Sequence, residues 1–282
     1  MKENRVLSFL IVILIYILSG GCGIILFNFL SFDLWLNLLI CDITSTIIVF
    51  IFSLIFKNAS IYDPYWSVQP IVIVLSLGIK YGFNYISVLP LLAILFWGIR
   101  LTLNWAYTFN NLNHQDWRYT MLKEKTNKLY PLVNFFGIHL FPTLVVYLCV
   151  LPVCYLFIKG SEFNILLILL FIVSIVATII QLIADKQMHQ FRKNRPTTFI
   201  KTGLWKYSRH PNYLGEILMW WGIALFCIIA LQNYYFLISG ALVNTLMFIF
   251  ISIPMAEKHQ SSRKEGFDQY KKETRMLLPF KK

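Results

Sequence analysis

Charged residues are scarce in this chain. Asp, Glu, Lys and Arg make up 13% of its 282 residues, 58% are hydrophobic, and the mean hydropathy is +0.65. Soluble domains carry about 25% charged residues, so a single water-facing globule is excluded. Acid is the rarer sign, with 13 Asp and Glu against 25 Lys and Arg and a net charge of +12. Cysteine pairing is missing too. Cys22, Cys41, Cys149, Cys154 and Cys227 sit in apolar runs, with no C-x-x-C and no His/Cys cluster; they read as small hydrophobes, and neither disulfides nor a metal site is expected. There is no Walker A loop and no G-x-G-x-x-G following a strand. RNP, zinc-finger and helix-turn-helix patterns are also lacking, so no nucleic-acid partner is expected. No fixed-period repeat suggests a solenoid. Disorder is excluded because 24 Phe, 15 Tyr and 8 Trp are too much apolar surface to leave wet.

What is present is a series of long apolar runs. A helix needs about 20 mainly apolar residues to span a bilayer. The runs predict an all-α, polytopic transmembrane helix bundle of about eight (seven to eight) spans: 6–30, 34–56, 66–80, 86–106, 132–158, 163–184, 213–231 and 234–253. The third is short and Pro-tipped. The first is too long for a signal-peptide core and lacks a clear small-x-small cleavage site, so it is expected to be retained. The polar stretches 107–131, 185–212 and the tail from 254 are the long loops. With eight crossings and a cytoplasmic N-terminus, 22 of the 25 Lys and Arg fall on one side, Lys80 and Lys159 on the other, and Arg100 within a helix. The positive-inside rule therefore predicts a multi-pass protein with both termini cytoplasmic. Membrane lipids are the first expected partners, and the basic face suits anionic headgroups. The chain is expected to form one integral membrane domain over 1–282, with N-terminal spans in 1–56 and a functional region in 57–282. Gly20-Gly21-Cys22-Gly23 suits close helix packing or a kink. Oligomeric state is unmarked.

Ionisable and polar groups in or at the ends of spans are functional hypotheses by default. Asp42, Arg100, His139, Gln181, Asp185, Glu216 and Glu257 qualify; Asp42 and His139 read only as hydrogen-bonded interior groups. Gln181 and Asp185 are four apart and share a helix face, and Asn212 and Glu216 repeat that spacing. Between them runs a basic, aromatic loop. Pro211 suits the first helical position, with Ser208 or His210 near the cap. Such an N-terminus, facing Arg209 and His210, is a ready anion site. Arg192 and Arg195 add phosphate donors, and Trp205 and Tyr207 offer faces for a purine. The chemistry implied is capture of a nucleotide-type cofactor at the membrane–cytosol boundary.

These residues resemble a known family. Gly203-Leu-Trp-Lys-Tyr-Ser-Arg-His-Pro-Asn-Tyr-Leu-Gly-Glu216 is similar to the signature of the bacterial steroid 5-alpha-reductase-like (DUF1295) membrane proteins. The wider superfamily includes sterol reductases and the isoprenylcysteine and phospholipid methyltransferases. Asp63-Pro-Tyr-Trp66, Trp97-Gly-Ile-Arg100, Asp116-Trp-Arg-Tyr119, the Gln181/Asp185 pair, Phe267-Asp-Gln-Tyr270 and Leu278-Pro-Phe280 extend the likeness from about residue 60 onward. The resemblance implies an NADPH-dependent reductase acting on the C=C bond of a lipophilic enone such as a 3-oxo-4-ene steroid. It implies cofactor contacts at Arg118, Gln181, Asp185, Arg192, Arg195, Tyr207, Arg209, His210, Asn212 and Glu216, closed by Glu257, His259 and Arg263 of the tail helix. It places substrate contacts at Tyr62, Trp66 and Trp97. Asp63, in Tyr62-Asp63, matches the family's Gln-Glu pair and would polarise the ketone, although Asp before Pro also suits a helix N-cap. Where the eukaryotic reductases carry a tyrosine partner this chain has Trp97, so Tyr65 or Tyr107 would substitute as catalytic phenol. The alternatives are a SAM-dependent lipid or isoprenylcysteine-type methyltransferase and a non-catalytic lipid-binding protein.

Overall fold

The computed structural model describes residues 3–194, 197–232 and 234–279. Arg195 and Phe280 lie outside them. All regular structure among the described residues is helical. Helices α1 (Arg5–Phe27), α2 (Leu34–Phe56), α4 (Tyr85–Thr108), α5 (Trp117–Tyr155), α6 (Ile165–Lys193), α7 (Pro211–Leu231) and α8 (Tyr235–Ser261) are long and apolar enough to cross a membrane. Helix α3 (Tyr65–Tyr81) has 17 residues and carries Pro70 within it. A short α9 (Phe267–Glu273) follows in the tail. The fold class is therefore a polytopic helical bundle, and the backbone divides into two compact units, Met1–Ile158 and Lys159–Lys282.

The helix starts follow from local chemistry. Asn4, Asn84 and Asn164 side chains accept first-turn amides of α1, α4 and α6, and Asn84 forms a reciprocal capping box with Ser87. Pro211 occupies the first turn of α7 as its fixed φ favours. Two departures from the sequence reading stand out. Residues 117–131, predicted as loop, instead begin α5, because Asp116 caps the turn and a 3-10 segment joins it to the apolar run. Helix α6 runs on to Lys193, nine residues past the predicted end, because Gln187 and neighbouring residues pack its last turns against the following loop.

In the first unit α1 and α2 pack closely at Gly23, where an added Cβ would lie 2.6 Å from Ser45 Oγ. Ser45 Oγ donates across the same seam to Ser19 O at 2.8 Å, a small-residue contact of the kind membrane helices favour. A π-helical segment, Asn134–Leu140, interrupts α5 and turns His139 Nδ1 toward Asn134 O at 2.9 Å. In the second unit α6 and α7 form the main packed pair. Gly215 and Gly222 make this possible: a Cβ on Gly215 would lie 2.6 Å from Ala177 O, and one on Gly222 would lie 2.3 Å from Ser174 Oγ.

Candidate functional site

The second unit holds the predicted cofactor residues that share a face. Gln181, Asp185, Met188 and Arg192 recur at helical spacing along α6. Opposite them, Asn212 and Glu216 stand on the first turns of α7. The two polar pairs meet: Asn212 Nδ2 lies 3.5 Å from Asp185 Oδ1, and Gly215 rests against Gln181. Gln181 and Glu216 are buried, and Glu216 Oε1 accepts from Trp220 Nε1 at 2.9 Å. Asn212 Oδ1 is buried with no hydrogen-bond partner among the described residues. A buried acceptor left unmatched in this way has room for a donor such as a water or a bound ligand. Arg192 and Tyr207 are exposed at the cytoplasm-facing end predicted for α6 and the loop, and Arg192 forms no ion pair with any described residue. His210 occupies the cap position of α7 without a side-chain cap bond.

Arg209 is used differently from the sequence expectation. Its Nε donates to Glu257 Oε1 at 2.7 Å, and Nη1 donates to Lys271 O at 3.1 Å and to Thr274 O. Its backbone N–H bonds Arg275 O at 3.0 Å. These partners take three of the five guanidinium N–H groups, so Arg209 ties the start of α7 to the C-terminal tail. His210 Nε2 lies 3.1 Å from the same Glu257 oxygen, and its ring stacks on Tyr213. Tyr270 donates to Trp205 O, and burial pushes its phenol up to about 12. His259, two residues on from Glu257, stands on a different face of α8, and Arg263 lies exposed beyond the end of that helix.

Apart from Tyr107, the first unit gathers the predicted substrate and catalytic residues into two polar clusters. In one, the chain before α3 is zipped to the segment before α5: Asn58 Nδ2 donates to Leu112 O at 2.7 Å, and Asp116 N–H donates to Ser60 Oγ at 2.9 Å. Arg118 grips Asp116 through Nε and Nη2 at 2.8 and 3.1 Å, so this guanidinium is paired within the first unit. Tyr119 donates to Asp63 Oδ1 at 2.5 Å. Burial raises the Asp63 carboxyl to about 6, against the opposing pull of Arg118 and Tyr119. Burial also pushes Asp116 upward, but Arg118 outweighs it and holds that carboxyl below the usual range. Asp63 does not cap α3. Pro64 occupies the cap position without a side-chain bond, so the N-cap reading is corrected.

The other cluster lies deeper. Tyr65 donates to Asp42 Oδ1 at 3.0 Å. Thr46 and Thr143 hydroxyls are 3.0 Å apart, and Tyr62 lies 2.9 Å from the Thr143 hydroxyl. The Tyr62 ring packs on His139 with centroids 4.8 Å apart, and Trp66 meets Trp97 edge-on at 6.0 Å. Tyr62, Tyr65, Trp66 and Trp97 therefore share one interior. Tyr107 is instead 59% exposed on α4 and has no enclosed setting in which to protonate a substrate. Thr46, Gln69 and Thr143 are the members that sequence reasoning missed, while Asp42 and His139 were read only as hydrogen-bonded interior groups. Thr46 carries a sequence trace, since it stands four residues from Asp42, at helical spacing within an apolar run.

With this geometry in view, the chain matches the DUF1295 family, described as a protein of unknown function, over residues 49–274. It is 28% identical over 231 residues to an uncharacterized protein of Schizosaccharomyces pombe, covering 70% of this chain and 63% of that protein. The chain thus spans just under two thirds of that relative's length. No solved structure matches it.

Proposed function

The chain belongs to the DUF1295 family, and from that footing we propose that it is an NADPH-dependent membrane reductase of the C=C bond of a lipophilic enone. The observation that carries the nucleotide side is the meeting of Gln181 and Asp185 with Asn212 and Glu216, beside the buried, unmatched Asn212 Oδ1. Asn212 Oδ1 suits a ribose hydroxyl or a carboxamide N–H, Asp185 suits a ribose diol, and Arg192 suits a phosphate. Tyr207 offers an exposed ring for the base. When bound, the nicotinamide supplies the hydride.

On the lipid side, the Tyr65–Asp42 pair holds a proton between Tyr65 Oη and Asp42 Oδ1 and would hydrogen-bond the oxygen on which negative charge develops. Asp63, taken by Tyr119, orders the turn into α3. The basic loops and tail support a topology with both termini cytoplasmic, by the positive-inside rule.

A SAM-dependent methyltransferase is the second reading. It is favoured by the engagement of Arg209 with Glu257, Lys271 and Thr274, which leaves fewer cations free for phosphates. Titration of the purified protein with NADPH and with SAM, followed by cofactor and tryptophan fluorescence, separates the two. NADPH binding weakened by Asn212→Ala supports the reductase. Binding of SAM alone refutes it.

A further inference from the structure

A cavity of about 380 Å³ lies in the first unit among α1, α2 and α3. Its walls are apolar, with Gly20, Leu38, Val72 and Leu77 among them, but both ends are polar. At the inner end stand Asp42 and Gln69, both buried, which also line the small adjoining cavity beside Tyr65 and Trp66. At the outer end stand Asn28 and Lys80, next to Ile24 and Ile79, which are 45% and 79% exposed. Lys80 Nζ donates to Asn28 Oδ1 at 3.2 Å and lies over the Phe27 ring at 4.5 Å. No carboxylate among the described residues pairs with it. Lys80 stands 11 positions after Gln69, a rise of about 16 Å along α3.

A plain acyl chain would satisfy the walls and the cation but would leave hydrocarbon against a buried carboxylate and carboxamide. A neutral apolar molecule would leave Lys80 unmatched. We propose that this cavity binds a bipolar lipid: an apolar body about 16 Å long, with an anionic group at Lys80 and a hydroxyl or carbonyl oxygen between Asp42 and Gln69. The proposal deepens the reductase reading by naming what the lipid side selects, and it rests on that reading only for the fate of the ligand. Asp42 and Gln69 are then the specificity-determining pair, and Lys80 fixes the direction of entry.

The test is binding without nucleotide, so its failure is distinct from failure of the NADPH reading. The full chain in nanodiscs is titrated with ω-hydroxydodecanoate and with dodecanoate, followed by quenching of tryptophan emission. The ω-hydroxy acid is expected to bind at least about tenfold more tightly, the effect of one well-made buried hydrogen bond. Asp42→Leu should erase that preference while dodecanoate still binds. Lys80→Gln should weaken both acids about tenfold and keep the preference. Gly20→Leu, whose Cβ would sit 3.9 Å from Val72 Cγ1 without a clash, should fill the cavity and abolish binding of both. Equal or weaker binding of the ω-hydroxy acid to the wild-type chain overturns the proposal, as does undiminished binding to Gly20→Leu. The wild-type comparison decides the question even if Asp42→Leu does not fold.

Discussion

Removing the Glu257 carboxylate tests how the start of α7 and the C-terminal tail of the second unit are held together. Glu257 accepts from Arg209 and His210, and Lys271 Nζ stands 3.8 Å from its second oxygen. The Arg209 and Glu257 side chains are 8% and 10% exposed. Breaking a buried ion pair from one side costs about 3–5 kcal/mol. Here the guanidinium keeps its carbonyl partners at Lys271 and Thr274, so Glu257→Ala should cost about 2–3 kcal/mol, less than that full range. At roughly 3 °C per kcal/mol, the midpoint of thermal unfolding in detergent should fall by about 6–9 °C. The tail should also loosen, since Arg209 is its anchor, and trypsin should cut after Lys271, Lys272 and Arg275 sooner than in the wild type. Glu257→Gln keeps an acceptor and should lose less than half as much. Paired with Arg209→Met, the double variant should lose less than the sum of the single losses, because the two residues share one interaction. An unchanged midpoint and unchanged tryptic cutting in Glu257→Ala would refute the account of this cluster.

Three further outcomes follow from the geometry. Asp63, raised to about 6 in the folded chain, favours its protonated form there; its contribution to stability is full below the unfolded value near 4 and is lost as pH rises through 6. Asp63→Asn should therefore flatten the pH dependence of the unfolding midpoint between those limits, and an unaltered profile would contradict the assignment. Gly215→Val would place a Cβ 2.6 Å from Ala177 O, prying α7 from α6 and weakening NADPH binding at least about tenfold, whereas Gly21→Ala, with open space around it, should leave binding intact. Arg192→Ala should weaken NADPH by about tenfold or more and NADH less, as measured by fluorescence titration; equal loss for both would remove the phosphate role.

The spans were legible because each must be apolar for most of its length, a constraint written residue by residue. The helical start of α5 was not, because Lys123, Glu124, Lys125 and Lys128 make that stretch look like solvated loop. Its helicity depends on the Asp116 cap and on the contacts that hold Asp116 to Ser60. The facing of Asp185 by Asn212 could be anticipated from two matching i,i+4 pairs on either side of one loop. The engagement of Arg209 could not. A guanidinium in a basic loop looks free until the fold brings Glu257, 48 residues later, to within 2.7 Å. The Asp42 cluster was hidden for the same reason: Thr46 and Thr143 lie 97 residues apart in sequence and 3.0 Å apart in space. Asp42 could be flagged as an ionisable group inside a span, but its partners are set by packing alone.

The central claim is that hydride passes from a nicotinamide to a lipid within this chain. It is tested most directly by supplying NADPH deuterated at the transferring position of the nicotinamide, together with a lipophilic enone, to the purified protein in nanodiscs. The products are then read by mass spectrometry. The account predicts a saturated ketone carrying one deuterium at the carbon β to the carbonyl, absent from the Asn212→Ala variant at limiting NADPH. Recovery of the enone unreduced, across enones with and without an anionic end group, while SAM transfers a methyl group to a lipid acceptor, would contradict it.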